Sequence, residues 1–261
     1  MVRRLRVLLI PALLLVLAYG AKRATDNWHF VVPVEPGKVA YVSAFDGFTD
    51  EWGLYTGRLS AQIPDTNTLR LNVDTSNRFT WSTARPYFSD FDVSVQATAS
   101  DGPEDNSFGI IFRHQDKGNT APEDDDYYLF LISSDGYYQV FRQLNSAAEK
   151  QRQKELSTWI PSPAVNTGVG AQNMLRVVGS GDRFQFFING QRVQLCIPDD
   201  PNGTSTYDEA KSECAGQMVD TLVDSSIPYG RLGVVAGALD EPGVVADFDN
   251  FVVTGPEKLS G

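Results

Sequence analysis

The chain has 261 residues, 33 of them Asp or Glu against 22 Lys or Arg, for a formal net charge of −11. Such an acidic balance argues against nucleic acid or an anionic lipid surface as partner, since both select basic patches. The length suits one large β domain behind a targeting segment.

The N-terminus reads "MVRRLRVLLIPALLLVLAYGAK": Arg3, Arg4 and Arg6 precede an apolar run from Val7 to Ala21 that ends in small residues. That is the order of a secretory signal peptide, and the run is short for a spanning helix, which needs about 20 residues. Residues 1–21 are therefore expected to be a signal peptide, cleaved after Gly20 or Ala21, with an uncleaved anchor as the alternative. Membrane contact is expected only through that segment, and the domain is expected outside the cell. Residues 22–37, with Pro33, Pro36 and Gly37, read as a lead-in, residues 38–256 as the folded domain and 257–261 as a tail.

Strand signals then follow one another. In "TLRLNV" (68–73) Leu69, Leu71 and Val73 share a face, and in "FDVSVQATA" (91–99) Phe91, Val93, Val95 and Ala97 do. "FGIIFRH" (108–114) and "DYYLFLIS" (126–133) are apolar on both faces, as central strands are. Asp135-Gly136 joins "YYLFLISS" to "YYQVFRQL", and Asn189-Gly190 joins "RFQFFI" to "QRVQLC". Both dipeptides suit the type I′ turn of a two-residue hairpin. "SAAEKQRQKELSTW" (146–159) is compatible with a helix or with a long hairpin arm, and "YGRLGVVAG" and "VVADFDNFVV" close the series. About a dozen strands without a βαβ rhythm predict an all-β fold of two packed antiparallel sheets.

The only two cysteines, Cys196 and Cys214, flank "IPDDPNGTSTYDEAKSE", a polar, turn-rich stretch with no apolar periodicity. In an exported chain they are expected to be bonded to each other, strapping a loop that burial cannot hold. Asn202-Gly203-Thr204 matches the glycosylation acceptor, usable only in a eukaryotic secretory route.

From about Ala44 to Thr254, the order of "FDGFTDEWG", "SFGIIFRHQDKGN", "YYLFLISSDGYYQVFR", "NMLRVVGSGDRFQFFINGQRV" and "YGRLGVVAG…VVADFDNFVV" resembles the concanavalin A-like lectin/glucanase superfamily. Within it the chain is similar to the laminin-G-like and keto-disaccharide-hydrolase-like modules of exported proteins. The resemblance implies a jelly-roll sandwich whose concave sheet carries sugar.

Retaining glucanases of that superfamily carry Glu-x-Asp-x-x-Glu on a strand, which puts acid and nucleophile on one face. The motif is absent here; "EDDDYYLF" (123–130) comes closest but lacks the spaced second glutamate. Where the keto-disaccharide-hydrolase-like modules often have a strand carboxylate, this chain has Tyr128. His29 and His114 sit in no nucleophile motif. A non-catalytic module is expected, binding a glycan or cell-surface polysaccharide. A glycoside-active hydrolase and a structural or protein-interaction domain are the alternatives.

Sugar sites combine flat rings with planar polar groups. With a two-residue turn at Asp135-Gly136, Tyr128 faces Gln143, Phe130 faces Phe141 and Ile132 faces Gln139. That puts Arg113, Tyr128, Gln139, Phe141 and Gln143 on an open face, with Gln185 joining from another strand. Tyr127, Leu129, Leu131, Val140 and Leu144 then read as core. The same aromatics also read as ordinary sandwich filling. The resemblance also makes Asp46, Asp247 and Asp249 candidate ligands for a structural Ca²⁺ if first and last strands pair, with solvent exposure or a turn bond as the alternative reading.

Overall fold

The structure is a computed structural model that describes residues 29–46, 51–64, 67–118, 124–145, 152–200, 203 and 206–259. The segment expected to be a signal peptide and Asn202 lie outside them. The sandwich lies within the compact unit Val32–Gly261.

Nineteen strands are formed among the described residues. First come β1 (Val39–Ser43), β2 (Leu59–Gln62), β3 (Leu69–Val73), β4 (Arg78–Phe88), β5 (Phe91–Asp101) and β6 (Asn106–Gln115). Next are β7 (Asp126–Ile132), β8 (Tyr137–Gln143), β9 (Gln153–Pro161), β10 (Gln172–Ser180), β11 (Arg183–Ile188) and β12 (Gln191–Val193). The last are β13 (Leu195–Ile197), β14 (Tyr207–Asp208), β15 (Glu213–Cys214), β16 (Gln217–Val219), β17 (Leu222–Val223), β18 (Gly230–Ala238) and β19 (Val244–Thr254).

They build two large antiparallel sheets. A nine-stranded sheet runs β12-β11-β10-β5-β19-β3-β2, with β1 on β19 and β17 on β11; a six-stranded sheet runs β4-β18-β6-β7-β8-β9. The alternation in β3 and β5 is reproduced, every second side chain being buried. β6 and β7 are buried almost throughout, as expected of strands apolar on both faces. Between the sheets, Phe91, Phe112, Tyr128, Phe184 and Phe186 form one continuous ring cluster. The ambiguous "SAAEKQRQKELSTW" resolves as strand from Gln153 onward, since its residues complete the β8 ladder. The second half of the lead-in also packs: Val32 N–H donates to Tyr87 O at 2.8 Å, and Val32 and Val34 lie against the core.

Cys196 and Cys214 are bonded, with Cα atoms 5.6 Å apart. Within the excursion they close, β14 pairs with β15, Tyr207 packs against the core and Tyr137 donates to Glu209, while β13 pairs with β16. A bridge over that span is worth about 3 kcal/mol on the chain-entropy model.

The two hairpins behave differently. Asn189 and Gly190 have φ of 49° and 80°, and Ile188 faces Gln191, the type I′ turn expected. At Asp135-Gly136 the loop has three residues instead. Ser133 N–H donates to Tyr137 O at 2.9 Å, Gly136 N–H donates back to Ser133 O at 3.1 Å, and only Gly136 has positive φ, 104°. This is the turn-plus-bulge form of hairpin. The ladder slips by one residue, so Tyr128 faces Arg142, Phe130 faces Val140 and Ile132 faces Tyr138. Because side chains alternate with period two, the slip reverses β7 relative to β8: Tyr128, Phe130 and Ile132 join Val140 and Leu144 in the core, and Tyr127, Leu129 and Leu131 turn outward.

Candidate functional site

The slip decides which side chains face away from the nine-stranded sheet. On that outward face of the six-stranded sheet, Ile111, Tyr127, Leu129, Leu131 and Val235 form a second apolar cluster, with Phe79, Trp81, Phe141 and Trp159 packed on it. Gln139 and Gln143 share this face, since they sit opposite Leu131 and Tyr127. The structure therefore brings Gln139, Phe141 and Gln143 together, and it replaces Tyr128 with Tyr127.

Tyr128 and Arg113 are corrections to the expected open face. Tyr128 is fully buried between the sheets, its ring stacked on Phe112 at 5.0 Å, and its hydroxyl donates to Asp224 Oδ1 at 2.7 Å. Burial first, and then the Asp224 charge, push its hydroxyl well above the usual tyrosine range. Arg113 sits in a bulge of β6 with φ of 52°, where the ladder to β7 shifts between Phe112 and Gln115. Its guanidinium turns into the core over the Phe184 ring, 4.6 Å from the centroid. There it donates to the carbonyls of Ile227 (2.6 Å), Ser89 (2.8 Å) and Gly181. Alternation alone would have sent Arg113 outward; the extra residue of the bulge reverses it. Gln185 does not join either: it lies on β11 of the other sheet, its amide donating to Thr221 Oγ1 at 3.0 Å.

The same bulge places His114 on the outward face. Trp81, Tyr127 and His114 form a triangle of rings, with centroids 5.3 Å apart for Trp81–Tyr127, 5.8 Å for Trp81–His114 and 6.2 Å for His114–Tyr127. Beside them opens a groove of about 390 Å³ at the β4 edge, lined by Tyr55, Trp81, Thr83, His114, Asp125 and Arg231 among others, including Asp116. Asp125 fixes the histidine: its Oδ2 lies 2.9 Å from Nε2 of His114, and its Oδ1 accepts the Lys117 amide at 2.9 Å. Tyr55 anchors the rim by donating to Trp81 O at 2.9 Å. Arg231 faces His114 across the β18–β6 ladder and lies over the Tyr87 ring at 5.1 Å. Trp81, Asp125 and Arg231 were not singled out from the sequence, and Tyr127 reads there as core. The signal for Trp81 was available in "RFTWST", where Phe79, Trp81 and Thr83 alternate along an edge strand.

The expected calcium ligands do not fit a cation. Both carboxylate oxygens of Asp247 accept from Arg70, each at 2.7 Å, and Asp249 Oδ1 accepts the Asn250 amide at 2.6 Å. Asp46 is exposed in the loop after β1. First and last strands do pair, Ser43 facing Phe251. No group of three or more His, Cys, Asp or Glu able to hold a metal occurs among the described residues.

No protein-family model matches the chain, and a comparison with curated proteins found no match. Solved structures do match. The carbohydrate-binding module CBM66 from Bacillus subtilis superposes with a TM-score of 0.50 at 16% identity, over 85% of this chain and 100% of that one. The fold is an all-β jelly-roll sandwich of two antiparallel sheets. A xylan β-1,4-xylosidase from Bacillus halodurans C-125 shares it (TM-score 0.51, 14% identity), 85% of this chain matching 40% of that chain. So does a Crh5 transglycosylase solved in complex with NAG (TM-score 0.50, 14% identity, 87% and 89% of the two chains).

Proposed function

We propose that this protein is an exported carbohydrate-binding module that holds its ligand on the outward face of the six-stranded sheet, at the groove lined by Trp81 and His114 and backed by Tyr127. The observation carrying this reading is that triangle of rings, bordered by Thr83, Asp116, Asp125 and Arg231. Rings take the C–H faces of a sugar, and planar polar groups take its hydroxyls. The bonded cysteines and the arginine-led apolar N-terminus support export. The fold it shares with a carbohydrate-binding module agrees with the reading.

A glycan array probed with purified protein tests it. Binding to at least one glycan, lost in Trp81→Ala while the melting curve stays cooperative, is the expected result. An array without binding sinks it. A second reading, glycoside-active enzyme, is favoured by the two carboxylates Asp116 and Asp125 in the groove. Release of reducing sugar from the bound glycan, abolished by Asp125→Asn, would move the assignment to that class.

A further inference from the structure

β9 is the last strand of the six-stranded sheet and β12 the last of the nine-stranded one, and the two meet at one side of the sandwich. The seam between the sheets would be bare there, but the strapped excursion is drawn across it. The Cys196 amide donates to Ser157 Oγ on β9 at 3.0 Å, Cys196 faces Met218 in the β13–β16 pair, and Tyr207 packs against the core. The seam is not closed completely. A cleft of about 590 Å³ remains, with Pro161 and Ser162 on one side, Gln191 to Gln194 on the second, and Tyr207, Met218 and Asp220 on the third. Tyr138 closes its floor, donating to the main-chain carbonyl of Gln194.

The lining is of two kinds. Pro161 and Tyr207 are half-buried and Met218 is 40% exposed, so an apolar wall stands where solvent reaches it. The polar side is built from planar groups. Arg192 Nη2 donates to Asp220 Oδ2 at 3.2 Å, and Gln194 Nε2 donates to Asp220 Oδ1 at 3.1 Å. The side chains of this ion pair are 36% and 46% exposed, so the pair is open to the cleft it lines. Among the described residues it uses a single guanidinium N–H of Arg192, and the side-chain carbonyls of Gln191 and Gln194 stay available as acceptors. Arg192 and Asp220 are also the only charged side chains among the described residues lining the cleft, and they offset each other. An ion gains little from such a pair. A hydroxyl gains from both halves, because it donates and accepts.

We propose that this cleft is a second ligand site, and that it takes one neutral sugar unit. The C–H face of the sugar lies on Met218 and Tyr207. Its hydroxyls accept from Arg192 and donate to Asp220 and to the glutamine carbonyls. The volume falls in the range of small-molecule sites, and an apolar wall with a few placed polar groups is their usual make-up. The strapped excursion thereby has a use beyond covering the seam: it supplies the tyrosine of the site, and its bridge ends on β13, the strand that holds β16 and Met218 in place. The cleft shares no lining residue with the Trp81 groove and does not depend on the function proposed for it.

Methionine-methyl NMR of the folded chain tests the proposal, because Met218 lines the cleft and Met174, on β10, does not. The probes are glucose, galactose, mannose, fructose and N-acetylglucosamine, with glucuronate and glucosamine as charged comparators. At least one neutral sugar should shift the Met218 signal saturably and leave Met174 in place, equally in the unaltered chain and in Trp81→Ala. Arg192→Met and Asp220→Ala, both at exposed positions, should keep a cooperative melt and each weaken that binding about tenfold. No shift of Met218 with any neutral sugar overturns the proposal. So does binding that both variants leave intact, or that Trp81→Ala abolishes, which would place the sugar in the groove instead. Tighter binding of glucuronate or glucosamine than of every neutral sugar overturns it as well, in favour of a charged ligand.

Discussion

Tyr127 and Tyr128 are neighbours on β7 and belong to different parts of the molecule. Tyr128 sits in a buried polar network with Asp224 and Arg142, while Tyr127 packs with Trp81 and His114 beside an open groove. The inner region bonds most of its polar groups to partners within the sandwich. Arg113 meets three carbonyls there, and Asp224 meets three donors. The outer region offers rings and polar groups to whatever occupies the groove. What differs is that the inner network is closed between the sheets, whereas the outer rings and polar groups border a groove.

The contrast is open to attack from the strongest effect to the weakest. Arg113→Ala should lower unfolding free energy by about 3 kcal/mol or more, because three buried carbonyls lose their donor. A urea titration giving less than about 1 kcal/mol would mean that the inner network is not what holds this end of the sandwich. Tyr128→Phe should cost about 1–2 kcal/mol, since Asp224 keeps two of its three donors. Glycan binding should survive both changes.

Acid provides a third probe. Burial by itself would raise the Asp224 carboxyl, but Ser226, Tyr128 and Arg142 outweigh it and hold the group below its ordinary value. The unfolded chain therefore takes up this proton first. The stabilisation is complete above the unfolded value, near 3.8, and is lost as the pH falls through the lower folded one. Thermal melts from about pH 5 to pH 2 should show a steep decline that Asp224→Asn flattens. Parallel curves for the two proteins would remove Asp224 from the account.

The smallest stability effect belongs to the outer face. Trp81→Phe, a ring-for-ring change at a half-buried edge, should cost less than about 1.5 kcal/mol. Its glycan affinity should nonetheless fall measurably, because a smaller ring covers less of the sugar. A large loss of stability with unchanged binding would show that this aromatic cluster is structural filling.

Much of the architecture was legible in the residues. Alternation in "LRLNV" and "FDVSVQATA" fixes inward and outward positions because a strand has a strict period of two. Asn189-Gly190 sets its hairpin because both positions tolerate positive φ. The cysteines, at the ends of a stretch too polar to hold itself by burial, implied their bond. The open face was not legible, and two single-residue irregularities explain why. A three-residue loop at Ser134–Gly136 uses the same Asp-Gly pair as a two-residue one, yet reverses the face of every side chain on β8 relative to β7. The bulge at Arg113 does the same for the end of β6. Gln139, Phe141 and Gln143 were placed together from sequence, but Arg113 and Tyr128 were assigned to their company in place of His114 and Tyr127.

The sequence by itself determined that this chain is a two-sheet β-sandwich with one strapped excursion, because periodicity, turn chemistry and thiol count are local properties. Only the tertiary structure decided which tyrosine faces outward, that Asp247 is held by Arg70, and that Trp81 meets His114. Those outcomes depend on ladder register and on partners brought in from distant strands. A shift of one residue costs little in local preference and changes every neighbour.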